Sequence, residues 1–189
     1  MPPRVPDGSI PWLAQRPGRI RVHGACPPFP AGSQTDEARR DLGAEPLGLP
    51  RRVLLVEPSG NERARLHEEL TAGQMEVYEA GDVLAAVEVV PSVQPDLILA
   101  QMGLPGWSGL GLIRHLKEDP GTRSIPVILY SDVATVEERV RAFELGAVDF
   151  LSPQSAGAEL VARVRAALRV RHAMTVLERR AHRDGLTGL

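Results

Sequence analysis

Aromatic side chains are scarce in this chain: phenylalanine, tryptophan and tyrosine make up 4% of its 189 residues. Its core must therefore be aliphatic. Cysteine occurs once, at Cys26, which excludes an intramolecular disulfide framework. Lysine also occurs once, at Lys117, and the other strongly basic side chains are all arginine. There is no run of about 18 apolar residues, so no membrane helix is expected. The N-terminus lacks the basic-then-apolar pattern of a secretory signal. A cytoplasmic protein without membrane contact is the expectation. The formal net charge of −2 gives no reason to expect nucleic acid or an acidic surface as a partner.

The length allows one domain of ordinary size plus extensions. Residues 1–50 hold ten of the 17 prolines and six of the 18 glycines, and their apolar residues follow no period. Such a segment buries too little surface to offset its ordering entropy. It is expected to be a disordered arm, and a misassigned start codon would produce the same kind of arm. Trp12 and Cys26 stand isolated within it.

From Arg51 onward the pattern changes. Val53–Val56 reads as a buried strand. Ser59-Gly60-Asn61-Glu62 has the form of a capping box, opening a helix that carries Leu66 and Leu70 and ends near Gly73. Glu76–Ala80 reads as a second strand. Val83, Ala86, Val87 and Val90 recur at helical spacing, with Pro91 as the expected stop. Leu97–Ala100 is a continuous apolar run, the signature of a strand buried on both faces. It leads through Gln101 into a loop broken by Pro105, Gly106 and Gly109. Leu110, Ile113 and Leu116 then mark a third helix, with a turn at Asp119-Pro120-Gly121. Pro126–Tyr130 is a fourth strand. Val136, Val140 and Phe143 stripe a fourth helix closed by Gly146, and Ala147–Leu151 is a fifth strand. From Ser155 a long helix runs toward the C-terminus.

Strands alternating with helices imply a doubly wound α/β domain with a parallel, five-stranded sheet and right-handed crossovers. Open sheets of this kind place their sites at the carboxyl ends of the strands. Gln101 stands at such an end.

The run Asp96-Leu97-Ile98-Leu99-Ala100-Gln101, followed by Leu104-Pro105 and Gly109, resembles the phosphoacceptor segment of bacterial response-regulator receiver domains. The resemblance covers roughly residues 51–170 and implies the flavodoxin-like strand order 2-1-3-4-5. In that family an aspartate takes a phosphoryl group from a histidine kinase. An acidic pair helps it hold Mg²⁺ through oxygen ligands. A hydroxyl and a lysine stabilise the phosphoryl group.

Residue by residue, the resemblance puts Gln101 at the phosphoacceptor position, Glu57 and Pro58 at the acidic pair, Ser131 at the hydroxyl and Pro153 at the lysine. A one-residue deletion would instead align Ser152 with the lysine. Phe150 matches an aromatic switch position, or is simply core. Ser131 could be a helix N-cap, with Asp132 as competitor. Glu57 on its own reads as a solvated strand-end carboxylate. The phosphorylation chemistry fails at Gln101, Pro58 and Pro153, so the resemblance is to a degenerate receiver. No cofactor is expected, and Glu57 as the sole metal ligand implies weak Mg²⁺ binding.

Toward the C-terminus, Val161, Val164 and Leu168 form the stripe expected to face the sheet. Ala167, Val170, Met174, Leu177 and Ala181 are spaced 3, 4, 3, 4, the heptad seam of a coiled coil. A single helix continuing past the domain would carry the same residues. The ending Asp184-Gly185-Leu186-Thr187-Gly188-Leu189 resembles the opening motif of GGDEF domains, which make cyclic di-GMP from two GTP. The expected organisation is a disordered arm (1–50), a receiver-like domain (51–170), a helical or coiled-coil linker (171–183) and the start of a truncated GGDEF domain (184–189).

The function these readings imply is a regulatory module of two-component signalling. It would not be phosphorylated and would act by protein contact or dimerisation on a GGDEF output. The alternative is a fragment of a diguanylate cyclase, inactive in this form. A homodimer is expected through Val170, Met174 and Leu177, with a histidine kinase or another signalling protein as partner. A DNA-binding regulator is disfavoured, because no helix-turn-helix or basic patch follows the domain.

Overall fold

A computed structural model describes residues 51–152 and 157–186, with side chains of the last helix described through Leu177. Residues 1–50, with Trp12 and Cys26, lie outside the described residues. So do Pro153, Ser155, residues 187–189 and the side chain of Ala181.

Five strands alternate with five helices: β1 (Arg52–Val56), α1 (Gly60–Ala72), β2 (Glu76–Ala80), α2 (Val83–Val93), β3 (Leu97–Gln101), α3 (Gly109–Glu118), β4 (Val127–Tyr130), α4 (Val136–Glu144), β5 (Asp149–Leu151) and α5 (Gly157–Leu186). The sheet is parallel throughout, in the order β2-β1-β3-β4-β5. This is the flavodoxin-like arrangement expected from the sequence.

Alternation along each strand divides the core in two. Leu54, Ile98, Ala100 and Leu129 pack toward α2 and α3. Val53, Leu55, Leu97, Leu99, Ile128 and Tyr130 pack with Leu66 and Leu70 of α1 and with Leu160, Val164 and Leu168 of α5. The second set decides the layout of the site, because its parity continues into Glu57 and Gln101.

Several local expectations are corrected. Ser59 does cap α1, its hydroxyl accepting from the Glu62 N–H at 3.4 Å. The reciprocal half of the capping box is replaced: the Ser59 N–H donates to Glu57 Oε1 at 2.6 Å. Pro91 does not stop α2, which runs on to Val93. So near a helix end, proline removes one backbone hydrogen bond without breaking the helix. Gln94, at φ 48°, closes it with its N–H on the Val90 carbonyl at 2.8 Å.

The stripe of α4 points the other way from its expected direction. Val136, Val140 and Phe143 are all at least half exposed, and the buried residue of the helix is Ala142. Helix α4 lies over the β4–β5 side of the sheet and reaches the core through Ala142, with Leu145 following it. Strand β5 begins at Asp149, later than expected, with Ala147 already buried before it.

Helix α5 has 30 residues, about 45 Å at 1.5 Å per residue. Its inward face is Leu160, Val164 and Leu168, with Val161 at the margin of that face instead of in it. Ala167 also packs partly against its own domain. Beyond Leu168, Val170, Met174 and Leu177 are 55%, 59% and 63% exposed. The Arg171 guanidinium donates to the Ser124 carbonyl at 2.9 Å, fastening this part of the helix to the α3–β4 loop. Among the described residues no helix is long and apolar enough to cross a membrane.

Candidate functional site

The parallel register brings three side chains into one row at the carboxyl ends of the strands. Gln101 is paired with Tyr130, and Val56 with Ala100, so Glu57 follows into the same row. Glu57 shares the parity of Val53 and Leu55, Gln101 that of Leu97 and Leu99, and Tyr130 that of Ile128. All three therefore belong to the face covered by α1 and α5.

Glu57 is fully buried, which corrects the reading of a solvated carboxylate. Burying a carboxylate is costly unless donors meet it, and here both oxygens are met. Oε1 accepts from the Ser59 N–H at 2.6 Å. Oε2 accepts a hydrogen bond from the Tyr130 hydroxyl, reaching across β3 from β4. The Glu57 carbonyl is held as well, by Arg63 Nη1 at 2.6 Å. Burial and the hydrogen bond to Glu57 push the Tyr130 phenol well above its ordinary pKa, so it is the donor at any physiological pH.

Gln101 sits on the strand between these partners. Its Oε1 is buried and has no hydrogen-bond partner. The amide carries no charge and no usable nucleophile. Pro58, which follows Glu57, is half-buried and offers neither charge nor donor.

Ser131 caps no helix. The N-cap of α4 is Thr135, with Glu138 completing a full capping box, and Asp132 is not the cap either. The Ser131 hydroxyl accepts from the Val133 N–H at 3.2 Å, a local turn bond. Its backbone N–H donates to the Leu151 carbonyl at 3.0 Å, tying β4 to β5 at the site. Phe150 is partly buried and packs against the core on the α2, α3 and α4 side, between its two expected roles.

Lys117 is at the other end of the sheet. Its Nζ donates to the Arg123 and Ile125 carbonyls, both at 2.8 Å, in the loop before β4. Burial, and then the Arg171 charge, lower its pKa. It supports the loop and cannot serve the row of Glu57.

A divalent cation needs several oxygen ligands with negative charge. The residues present do not fit one. Glu57 already accepts a hydrogen bond on each oxygen, the Pro58 side chain has no oxygen, and Gln101 supplies one neutral oxygen. Among the described residues no group of three or more His, Cys, Asp or Glu side chains could hold a metal ion. Tyr130 was missed by the sequence reading. The available signal was a tyrosine ending an apolar strand: a buried phenol usually finds a hydrogen-bond partner.

A parallel 2-1-3-4-5 sheet, with an acidic residue after β1 and Gln101 at the end of β3, defines the class: a flavodoxin-like domain of receiver topology. Residues 53–165 match the response regulator receiver domain model, more than half of the chain, and the chain belongs to that family. The phosphate regulon transcriptional regulatory protein PhoB of Escherichia coli is 38% identical over 130 residues, which is 69% of this chain and 57% of PhoB. Response regulator PleD of Caulobacter vibrioides is 35% identical over 129 residues, 68% of this chain and 28% of PleD. The chain thus spans about half the length of PhoB and less of PleD. Among solved structures, the receiver domain of a signal transduction histidine kinase from Syntrophus aciditrophicus superimposes with a TM-score of 0.58 at 30% identity. That match covers 62% of this chain and 89% of the other. The chain therefore carries a receiver domain of two-component signalling.

Proposed function

We propose that this receiver domain is not switched by phosphoryl transfer, and that it acts by protein contact and dimerisation. The observation that carries the reading is the row Glu57–Gln101–Tyr130. Its one carboxylate already accepts an internal hydrogen bond on each oxygen, and its acceptor position is an amide. Without an acid at 101 there is nothing to form an acyl phosphate. Without a second acid at 58 the metal has one ligand in place of three.

Helix α5 supplies the means of coupling. Its seam residues Val170, Met174 and Leu177 are exposed, and pairing two chains in parallel would bury them. The motif resemblance at Asp184–Leu189 supports a GGDEF output controlled by this helix, and membership of the receiver family supports a histidine kinase or other signalling protein as the contacting partner. The same motif supports the alternative of a diguanylate cyclase fragment making no cyclic di-GMP in this form.

Calorimetric titration of the full chain with Mg²⁺ tests the site. Affinity no better than the millimolar range is expected, because a lone carboxylate with both oxygens hydrogen-bonded offers little to a reluctantly dehydrated ion. Sub-millimolar binding at the strand ends would contradict the reading.

A further inference from the structure

Glu57 could have lost its companions and remained an open carboxylate. Instead its second oxygen is taken by a residue from a strand two places away in the sheet. We propose that Tyr130 is an internal lock on this site. Its phenol occupies the place on Glu57 where a cation would bind, and joins the end of β4 to the end of β1 across β3. The inference rests on the reading that the site is not used for phosphoryl transfer, and deepens it by naming the residue that holds the site in one state.

Charge balance explains why the lock and Gln101 belong together. A buried carboxylate is tolerable when hydrogen bonds satisfy it. Glu57 has two such bonds, from a backbone N–H and a phenol. An acid at 101 would add a second anion on the adjacent strand, while the nearby Arg63 guanidinium is already engaged by the Glu57 carbonyl and by Glu79. A neutral amide of similar shape avoids that repulsion. Its Oε1 is buried without a hydrogen-bond partner, a position where a carboxylate oxygen would carry negative charge unmet. Tyr130 is itself 2% exposed, and its ring is packed in the layer formed with α1 and α5, so the phenol cannot swing aside without disturbing that packing. Restoring acids alone therefore leaves the cation competing with a built-in donor.

The test uses the full chain carrying Pro58→Asp and Gln101→Asp, with Tyr130 kept, changed to Phe, or changed to Leu. Circular dichroism first establishes that each variant is folded, and Mg²⁺ is then titrated by calorimetry. The lock predicts weak binding while Tyr130 is present. It predicts binding about tenfold tighter or more once the hydroxyl is gone, the scale on which neighbours of metal ligands act. The Phe variant keeps the ring and loses only the hydroxyl, so it reports the hydrogen bond without a packing defect. Equal affinities with and without the hydroxyl would overturn the lock. Sub-millimolar binding by the unmodified chain would instead overturn the reading on which it rests. In the unmodified chain, NMR should show a slowly exchanging Tyr130 hydroxyl proton in contact with the Glu57 side chain. A freely exchanging phenol would also overturn the proposal, whatever the variants' stability.

Discussion

Gly109→Ala is expected to destabilise the domain by about 3 kcal/mol, the upper end of overpacking costs. That corresponds to a melting temperature lower by about 10 °C for a domain of this size. Gly109 is the first residue of α3, and its N–H donates to the Met102 carbonyl at 2.8 Å. A β carbon there would lie 2.8 Å from the Gln101 carbonyl oxygen and 3.0 Å from both the Met102 Cα and Leu129 Cδ2. Two of those atoms are backbone, so relief requires moving α3 away from the end of β3. Gly103, six residues earlier, has open space around it, and Gly103→Ala should leave the melting temperature unchanged. Equal melting curves for the two variants would show that α3 does not approach β3 so closely. This glycine serves packing, which explains how the loop after residue 101 keeps its receiver shape with an amide in place of an acid there.

Leu177→Glu should convert a weak dimer into a monomer. Val170, Met174 and Leu177 lie beyond Leu168, the last buried residue among the described side chains of α5, and each is more than half exposed. Burying such side chains between two chains yields roughly 1.5–3 kcal/mol each. The entropy of association offsets much of this, leaving a dimer of about micromolar strength. A glutamate at 177 removes one buried leucine from each chain and places two like charges across the seam. The dissociation constant should rise at least about 100-fold. Sedimentation equilibrium of the two proteins decides the matter. A dimer that survives the charge lies elsewhere, and the exposed stripe of α4, with Val136, Val140 and Phe143, becomes the face to examine. A monomer before any substitution leaves the seam as a solvent-facing stretch of helix.

The strands were readable from the sequence because each is a short apolar run between turn residues, and a buried parallel sheet demands that pattern. The acceptor position was readable as well, through the resemblance of the run Asp96–Gln101, with Leu104-Pro105 and Gly109 at fixed spacing, to the receiver phosphoacceptor segment. Direction was harder. The period of α4 was correct, yet its three large apolar residues face outward and Ala142 faces in. Periodicity locates a stripe but does not say which side the sheet occupies. Pro91 misled for a related reason: its cost depends on how many turns of helix remain, and here the helix was nearly over. Glu57 was misjudged because what buries it lies far along the chain. Its partner Tyr130 is separated from it by 73 residues, and only the register of β1, β3 and β4 brings them together. Ser131 resembled a cap because a helix was expected to start there, whereas the loop runs on to Thr135.

We propose that this receiver fold holds a site unable to accept phosphate. Incubating the full chain with acetyl phosphate and Mg²⁺, then weighing it intact, tests this most directly. The mass should remain that of the unmodified chain, because Gln101 cannot form an acyl phosphate. A phosphoryl adduct on the folded chain that hydroxylamine removes would contradict the account.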